Sequence, residues 1–361
     1  MTEQGSDGST ARQVAIDLAN CFLADGRYVL APAPGSGVRP ASSSSFLCNL
    51  EDAGFSGLSV QSVGYEEGKQ NPKVHIYVTR GSLGALRKLE QSIRGVPIKI
   101  NNIGEIRVRP EAALSTTAHG NLYIHKGRIA CGSSCAPSAE TYSGTFGALA
   151  KDADGRLFIL SNNHVLAACN HVPVGMPIMA PSNSDARPNK PAPLAIGSHH
   201  GIVELRSGEP TLVPCAEVDA AVALVIDDKK VTSWQGDAEG YDTPSAIIQP
   251  KAGMKVKKFG RTSGLTYGTV EAVIPGKMPL PYKTKNFSAT VWFENVWTIL
   301  GMNESFALPG DSGSLVVTDD GQHSVGLIFA ASRDYGIIVP ITEALLQLGT
   351  LSLVSGHGIN P

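Results

Sequence analysis

Residues 308–314 read Leu-Pro-Gly-Asp-Ser-Gly-Ser, and 315–317 continue Leu-Val-Val. A glycine-flanked turn running into an apolar, β-branched stretch is a tight bend that empties into a buried strand. Such a bend has a chemical use. A serine hydroxyl is a weak nucleophile at neutral pH and needs a base beside it. It also needs N–H groups aimed at the oxyanion that its attack creates. Gly310 has no Cβ and can take the backbone shape that turns an N–H inward. Ser312 is therefore the candidate nucleophile, Gly310 and Ser312 the candidate oxyanion donors, and Gly313 leaves room for a chain to approach. The competing reading is a plain polar turn between strands.

Two upstream segments supply what the serine lacks. Residues 159–168 (ILSNNHVLAA) place His164 directly after a strand and at the start of a short apolar helical turn. Alone, such a histidine is more often a satisfied, half-buried side chain. Residues 217–225 (EVDAAVALV) open an apolar run with Asp219. A carboxylate there is buried only with a partner. Donation from the second imidazole nitrogen is the expected pairing, and it would fix the tautomer. A strand-capping aspartate is the alternative. The chain order His164, Asp219, Ser312 differs from that of subtilisins and α/β-hydrolases, and Ser314 breaks the Gly-x-Ser-x-Gly pattern of the latter.

The 361 residues suggest about two domains at ~150 residues each. Hydrophobic residues make up 42%, enough for a sizeable core, and the net charge of -2 offers no broad basic field for nucleic acid. The glycines (39) and prolines (23), with few long helical patterns, point to short strands and tight turns. The start MTEQGSDGST has no secretory signal pattern, and no run of 18 apolar residues follows, so no membrane contact and a cytoplasmic location are expected. The six cysteines (21, 48, 131, 135, 169, 215) form no disulfide framework. Cys131, Cys135, Cys169 and His171 invite a zinc reading, but free thiols outweigh it, and no cofactor or metal is expected. His199-His200 reads as a solvated loop and Lys251–Lys258 as a solvated strand edge.

Residues 1–45 read as a polar tail, a helix over 11–24 and a Pro/Gly/Ser linker. Residues 46–114 read as a small α/β extension. It has strands at Val74–Thr79, Val96–Ile100 and Glu105–Arg109, and a helix over 82–93 capped by Ser82 and ended at Gly95. From 115 to 361 short strands recur, among them Leu157–Leu160, Ala220–Ile226, Ala246–Gln249 and Ser324–Phe329, before a closing helix at 342–350 with Thr342 as its cap.

The segments SNNHVLA, EVDAAVAL, FGRTSGLTYGTV and PGDSGSLVV resemble the trypsin-like, chymotrypsin-fold serine peptidases, above all bacterial members. Gly260–Gly264 with Thr266 and Gly268 is similar to a hairpin of the alpha-lytic protease group, and the whole set is also similar to plant NARROW LEAF trypsin-like proteins. The resemblance covers about residues 115–350. It implies a mainly β fold: two six-stranded antiparallel β-barrels behind a small α/β N-terminal domain, with the triad in the cleft between them. It implies a serine endopeptidase working on protein or peptide substrates through an acyl-enzyme. Phe306, six before the serine, would floor the primary pocket, and Phe329, Ala330 and Ala331 would lie along the substrate-pairing strand. The expected P1 residue is small or apolar. A latent or silent protease-fold binding protein, regulated by its N-terminal domain, is the alternative. Departures are the lack of a cysteine after His164, Ser314 in place of a second glycine, and the absence of an Ile-Val-Gly-Gly start. A cleavage-generated amino terminus pairing with Asp311 therefore has no support in the sequence.

Overall fold

The computed structural model describes residues 8–24, 26–28, 58–80, 92–104, 106, 108, 122–188, 191–332 and 334–360. Six strands form a closed ring: Lys255–Gly260, Leu315–Thr318, Ser324–Ala331, Tyr335–Pro340, Val296–Gly301 and Gly264–Ile274, the last pairing back to the first. All these pairings are antiparallel. Alternation divides their side chains between two cores. Val316, Ile328 and Ile338 enter one, and Leu315, Val317, Leu327 and Val339 enter the other.

The preceding half is an eight-stranded sheet, ordered Ser352–Leu353, Ala148–Lys151, Leu157–Ser161, Ala221–Val225, Leu194–Ile202, Pro177–Ala180, Ser134–Pro137 and Gly144–Thr145. It curls without closing. Two closed barrels were expected, and this half is a half-barrel. Its terminal strands have two residues each. A hairpin of Met278–Lys283 and Ser288–Phe293 stands outside both sheets. Pro279 and Pro281 fall on alternate positions, so the missing N–H groups lie on one side and leave the pairing intact.

The N-terminal helix, Gly8–Ala24, buries Val14, Leu18 and Phe22 against Val60, Val63, Val74 and Ile76. Strands Ser59–Tyr65, Val74–Arg80 and Val96–Asn102 prolong the closed barrel's sheet through the pair Tyr65–Val273. Most of the helix expected at 82–93 lies outside the described residues. Its last two, Ser92 and Ile93, are instead extended and pair with Pro97 and Val96 around Arg94-Gly95, both at positive φ. That is a two-residue hairpin turn rather than a helix end. The linker at 31–45 also lies outside the described residues. Of the strand expected at 105–109, only Ile106 and Val108 are described, and Val108 bridges Tyr282. Ala246–Gln249 forms no strand, only a bridge from Ile247 to Ser324. The closing helix is Ile341–Gln347, so Thr342 sits inside it and Pro340 is the cap.

Glu271 ties the N-terminal strands to the barrel. Its carboxylate accepts from Tyr77 Oη at 2.9 Å and Lys99 Nζ at 2.7 Å, with His75 Nδ1 at 3.4 Å. Burial pushes the acid up, but the bonds and charges of His75 and Lys99 outweigh it and hold it at about 2. A depressed acid adds stability that is complete above its unfolded value, ~4.3, and is lost as the pH falls through its folded value. Glu271→Gln should therefore cost about 3 kcal/mol at pH 7 in urea unfolding, a gap that closes as the pH approaches the folded value. A pH-independent gap would contradict this account.

Candidate active site

The pairing of Leu157–Ser161 with Ala221–Val225 sets Ser161 opposite Ala221. His164 lies three residues past one end and Asp219 two residues before the other, so the register alone brings them together. His164 sits in the short helix Asn163–Leu166. Its Nδ1 is 2.5 Å from Asp219 Oδ2, and facing a carboxylate, Nδ1 carries the proton. The His164 backbone N–H donates to Oδ1 at 3.2 Å, and Asn162 Nδ2 to the Asp219 carbonyl at 2.6 Å. Both side chains are fully buried. The other ring nitrogen, Nε2, makes no hydrogen bond among the described residues.

The loop 308–314 is pressed against the end of the same strand. Thr145 N–H donates to the Ser312 carbonyl at 2.8 Å. Gly313, at φ +94°, lies so close that a Cβ would come within 2.1 Å of Ser161 Oγ and 2.4 Å of the Thr145 carbonyl. Ser312 thus belongs to the junction that also holds His164. The N–H groups of Asp311, Gly313 and Ser314 donate to Leu308, Ile328 and Asp311 carbonyls. Those of Gly310, at φ +98°, and Ser312 donate to no acceptor among the described residues. These are the two amides singled out as oxyanion donors.

Asp311 points the other way, into the barrel. It meets Lys258 Nζ at 3.2 Å, Ser263 Oγ at 2.6 Å, and the N–H groups of Thr262, Ser263 and Leu308 at 2.8, 3.1 and 2.9 Å. Burial pushes this acid up, but the Lys258 charge and these bonds outweigh it and hold it below the usual carboxylate range. Lys258 was expected on a solvated edge and is fully buried. The signal was in the strand period, since Lys258 shares a face with buried Val256. Nearby, Arg261 forks onto Asp185, both fully buried, with Ser134 Oγ donating to the same carboxylate.

The expected pocket residues are less open. Phe306 is fully buried, its ring wedged between Gly268 and Gly336, where a Cβ on either would come within 2.7 Å. Phe329 packs on Phe293 at 4.8 Å between ring centres, Ala330 is buried, and Ala331 is half-buried beyond a bulge in its strand. Tyr282, which the sequence did not suggest, donates its hydroxyl to Asp219 Oδ2 at 2.8 Å. Its Pro-rich surroundings gave no sign of a strand. His199, expected in a solvated loop, lies inside Leu194–Ile202 and is buried, with Nδ1 3.1 Å from the Pro173 carbonyl. Cys131, Cys135 and Cys169 are buried thiols pushed up by burial. No three His, Cys, Asp or Glu side chains converge as a metal site among the described residues. No helix among them is long and apolar enough to cross a membrane.

Removing one partner of a buried ion pair strands the other. Lys258→Met should destabilise the fold by about 3–5 kcal/mol and disorder the 308–314 loop. Urea midpoints and amide exchange at Gly310 and Ser312 would read this, and unchanged values would refute the stated role of the pair.

No known protein family's model matches the chain, and no curated protein does. Solved structures share its outline at low identity. A glutamic acid specific serine protease is 16% identical, with 63% of this chain and 100% of that one covered and a TM-score of 0.42. Protease A of Thermobifida fusca is 16% identical, with 63% and 100% covered and a TM-score of 0.41. The chymotrypsin of Cellulomonas bogoriensis is 14% identical, with 62% and 97% covered and a TM-score of 0.38. The likeness to plant NARROW LEAF proteins finds no support in these comparisons.

Proposed function

We propose that the chain is a serine endopeptidase that cleaves peptide bonds through an acyl-enzyme. The observation that carries this reading is the buried 2.5 Å contact of His164 with Asp219, which leaves Nε2 free to take a proton. In the reaction, Ser312 Oγ attacks the carbonyl carbon while Nε2 accepts its proton. Asp219 stabilises the imidazolium that forms. The Gly310 and Ser312 amides hold the oxyanion, a donor of this kind contributing about 10²–10³ in kcat. The proton passes from Nε2 to the leaving nitrogen, and water then releases the acyl group with His164 again acting as base.

The same free Nε2 favours a second reading, since no bond to Ser312 engages it. Catalytic hydrogen bonds often tighten only in the substrate complex. A latent or silent protease-fold binding protein, controlled by residues 46–114, would have the same feature without turnover.

A fluorophosphonate should label Ser312 in the wild type and not in Ser312→Ala, and His164→Ala should lower kcat by about 10⁴ or more. A folded wild type that neither labels nor cleaves casein would favour the silent reading. With Phe306 rather than an acidic residue six before Ser312, a peptide library should show cleavage after small or apolar residues. Cleavage confined to Arg or Lys would overturn that assignment.

A further inference from the structure

Asp219 Oδ2 receives two donors rather than one. His164 Nδ1 is the first, and the Tyr282 hydroxyl, 2.8 Å away, is the second. Tyr282 comes from the Met278–Lys283 hairpin, which belongs to neither of the two main sheets. It is 1% exposed, and its ring is gripped on two sides. It meets the His164 ring edge-on at 5.8 Å and stacks on Phe293 at 6.0 Å. Burial and the facing carboxylate raise the phenol well above its ordinary range, which favours its protonated, donating form. The other ionisable neighbour of the pair, the Cys169 thiol, is pushed up by burial and stays neutral.

The hairpin is itself braced by the N-terminal segment. Gln61 Nε2 donates to the Pro279 carbonyl at 2.6 Å, Val108 bridges Tyr282, and Tyr28 meets Trp292 edge-on at 5.8 Å. Ile103, Ile106 and Val108 share one core with Met278, Leu280 and Tyr282. The hydroxyl is therefore presented by a hairpin that lies in neither main sheet and is braced in part by the N-terminal strand Ser59–Tyr65.

A second donor on one carboxylate oxygen does two things. It fixes the plane of the carboxylate, so that Oδ2 faces Nδ1. It also draws charge from Oδ2, so that the carboxylate stabilises an imidazolium less than an unshared one would. We propose that Tyr282 is a positioning residue for the proposed triad, orienting Asp219 and moderating its pull on His164. This rests on the reading of His164 and Asp219 as a proton-transfer pair.

The test uses the full chain and Tyr282→Phe, which keeps the ring and its packing. Two readouts are taken. The first is the low-field proton resonance of the His164–Asp219 hydrogen bond, which exists whether or not the protein hydrolyses anything. The second is kcat, KM and the pH profile on a peptide p-nitroanilide with an apolar P1 residue. The resonance should move or broaden, kcat should fall about tenfold at unchanged KM, and the acid limb of kcat/KM should move to higher pH. The direction follows because an unshared Asp219 would hold the imidazolium more tightly. An unmoved resonance with unchanged kcat and acid limb overturns the proposal. A shifted resonance in a protein that neither cleaves nor labels supports the positioning role and removes the hydrolytic reading instead. Should Tyr282→Phe fail to fold, fluorotyrosines of graded acidity at position 282 keep the shape. The resonance should then follow phenol acidity, and a resonance indifferent to it equally overturns the proposal.

Discussion

A lysine and an aspartate, both withdrawn from water, hold the loop that carries Ser312. Burying two such charges costs several kcal/mol per ion, roughly, even after relaxation, and attraction alone rarely returns that. Here the deficit is met by hydrogen bonds: a hydroxyl and three backbone N–H groups reach Asp311 in addition to Lys258. With Asp311 drawn into the barrel, the chain on either side must bend through Gly310 and Gly313, both at positive φ. Gly260 completes the fit, since a Cβ there would lie 2.4 Å from Asp311 Oδ1. The cation belongs to the same chain and to a strand of the closed ring. The loop is therefore held from within the ring itself.

The hairpin that presents Lys258 also joins the two halves of the molecule. Arg261, one residue past its strand, reaches Asp185 in the half-barrel, and its backbone N–H donates to Thr145 Oγ1 at 3.1 Å. Thr145 Oγ1 in turn donates to the Gly310 carbonyl at 2.9 Å. The Gly-Arg-Thr-Ser-Gly stretch that stood out in the sequence thus has a mechanical reason for each polar member. Arg261 spans the junction, Thr262 and Ser263 hold Asp311, and the glycines allow the approach.

What was legible in the sequence had a local signature. The Gly-Asp-Ser-Gly bend could be read because glycine is needed where φ is positive. His164 and Asp219 could be matched because each ends an apolar strand, and paired strands bring their ends together. What was not legible depended on distant packing. Lys258 read as solvated because charge outweighed strand period in the reading. The Met278–Lys283 strand was hidden by two prolines, and with it Tyr282. That one sheet closes while the other remains open is a matter of long-range pairing, which no short motif records. The turn at Arg94-Gly95 resembled a helix end because glycine serves both purposes.

Gly313 and Gly147 lie backbone to backbone at the seam between the two halves, where a Cβ on Gly147 would fall 1.9 Å from the Gly313 carbonyl. At that contact main chain meets main chain, with no side-chain rotor between them to relax. Freedom of that kind lies instead with exposed side chains such as Met302 and Leu308.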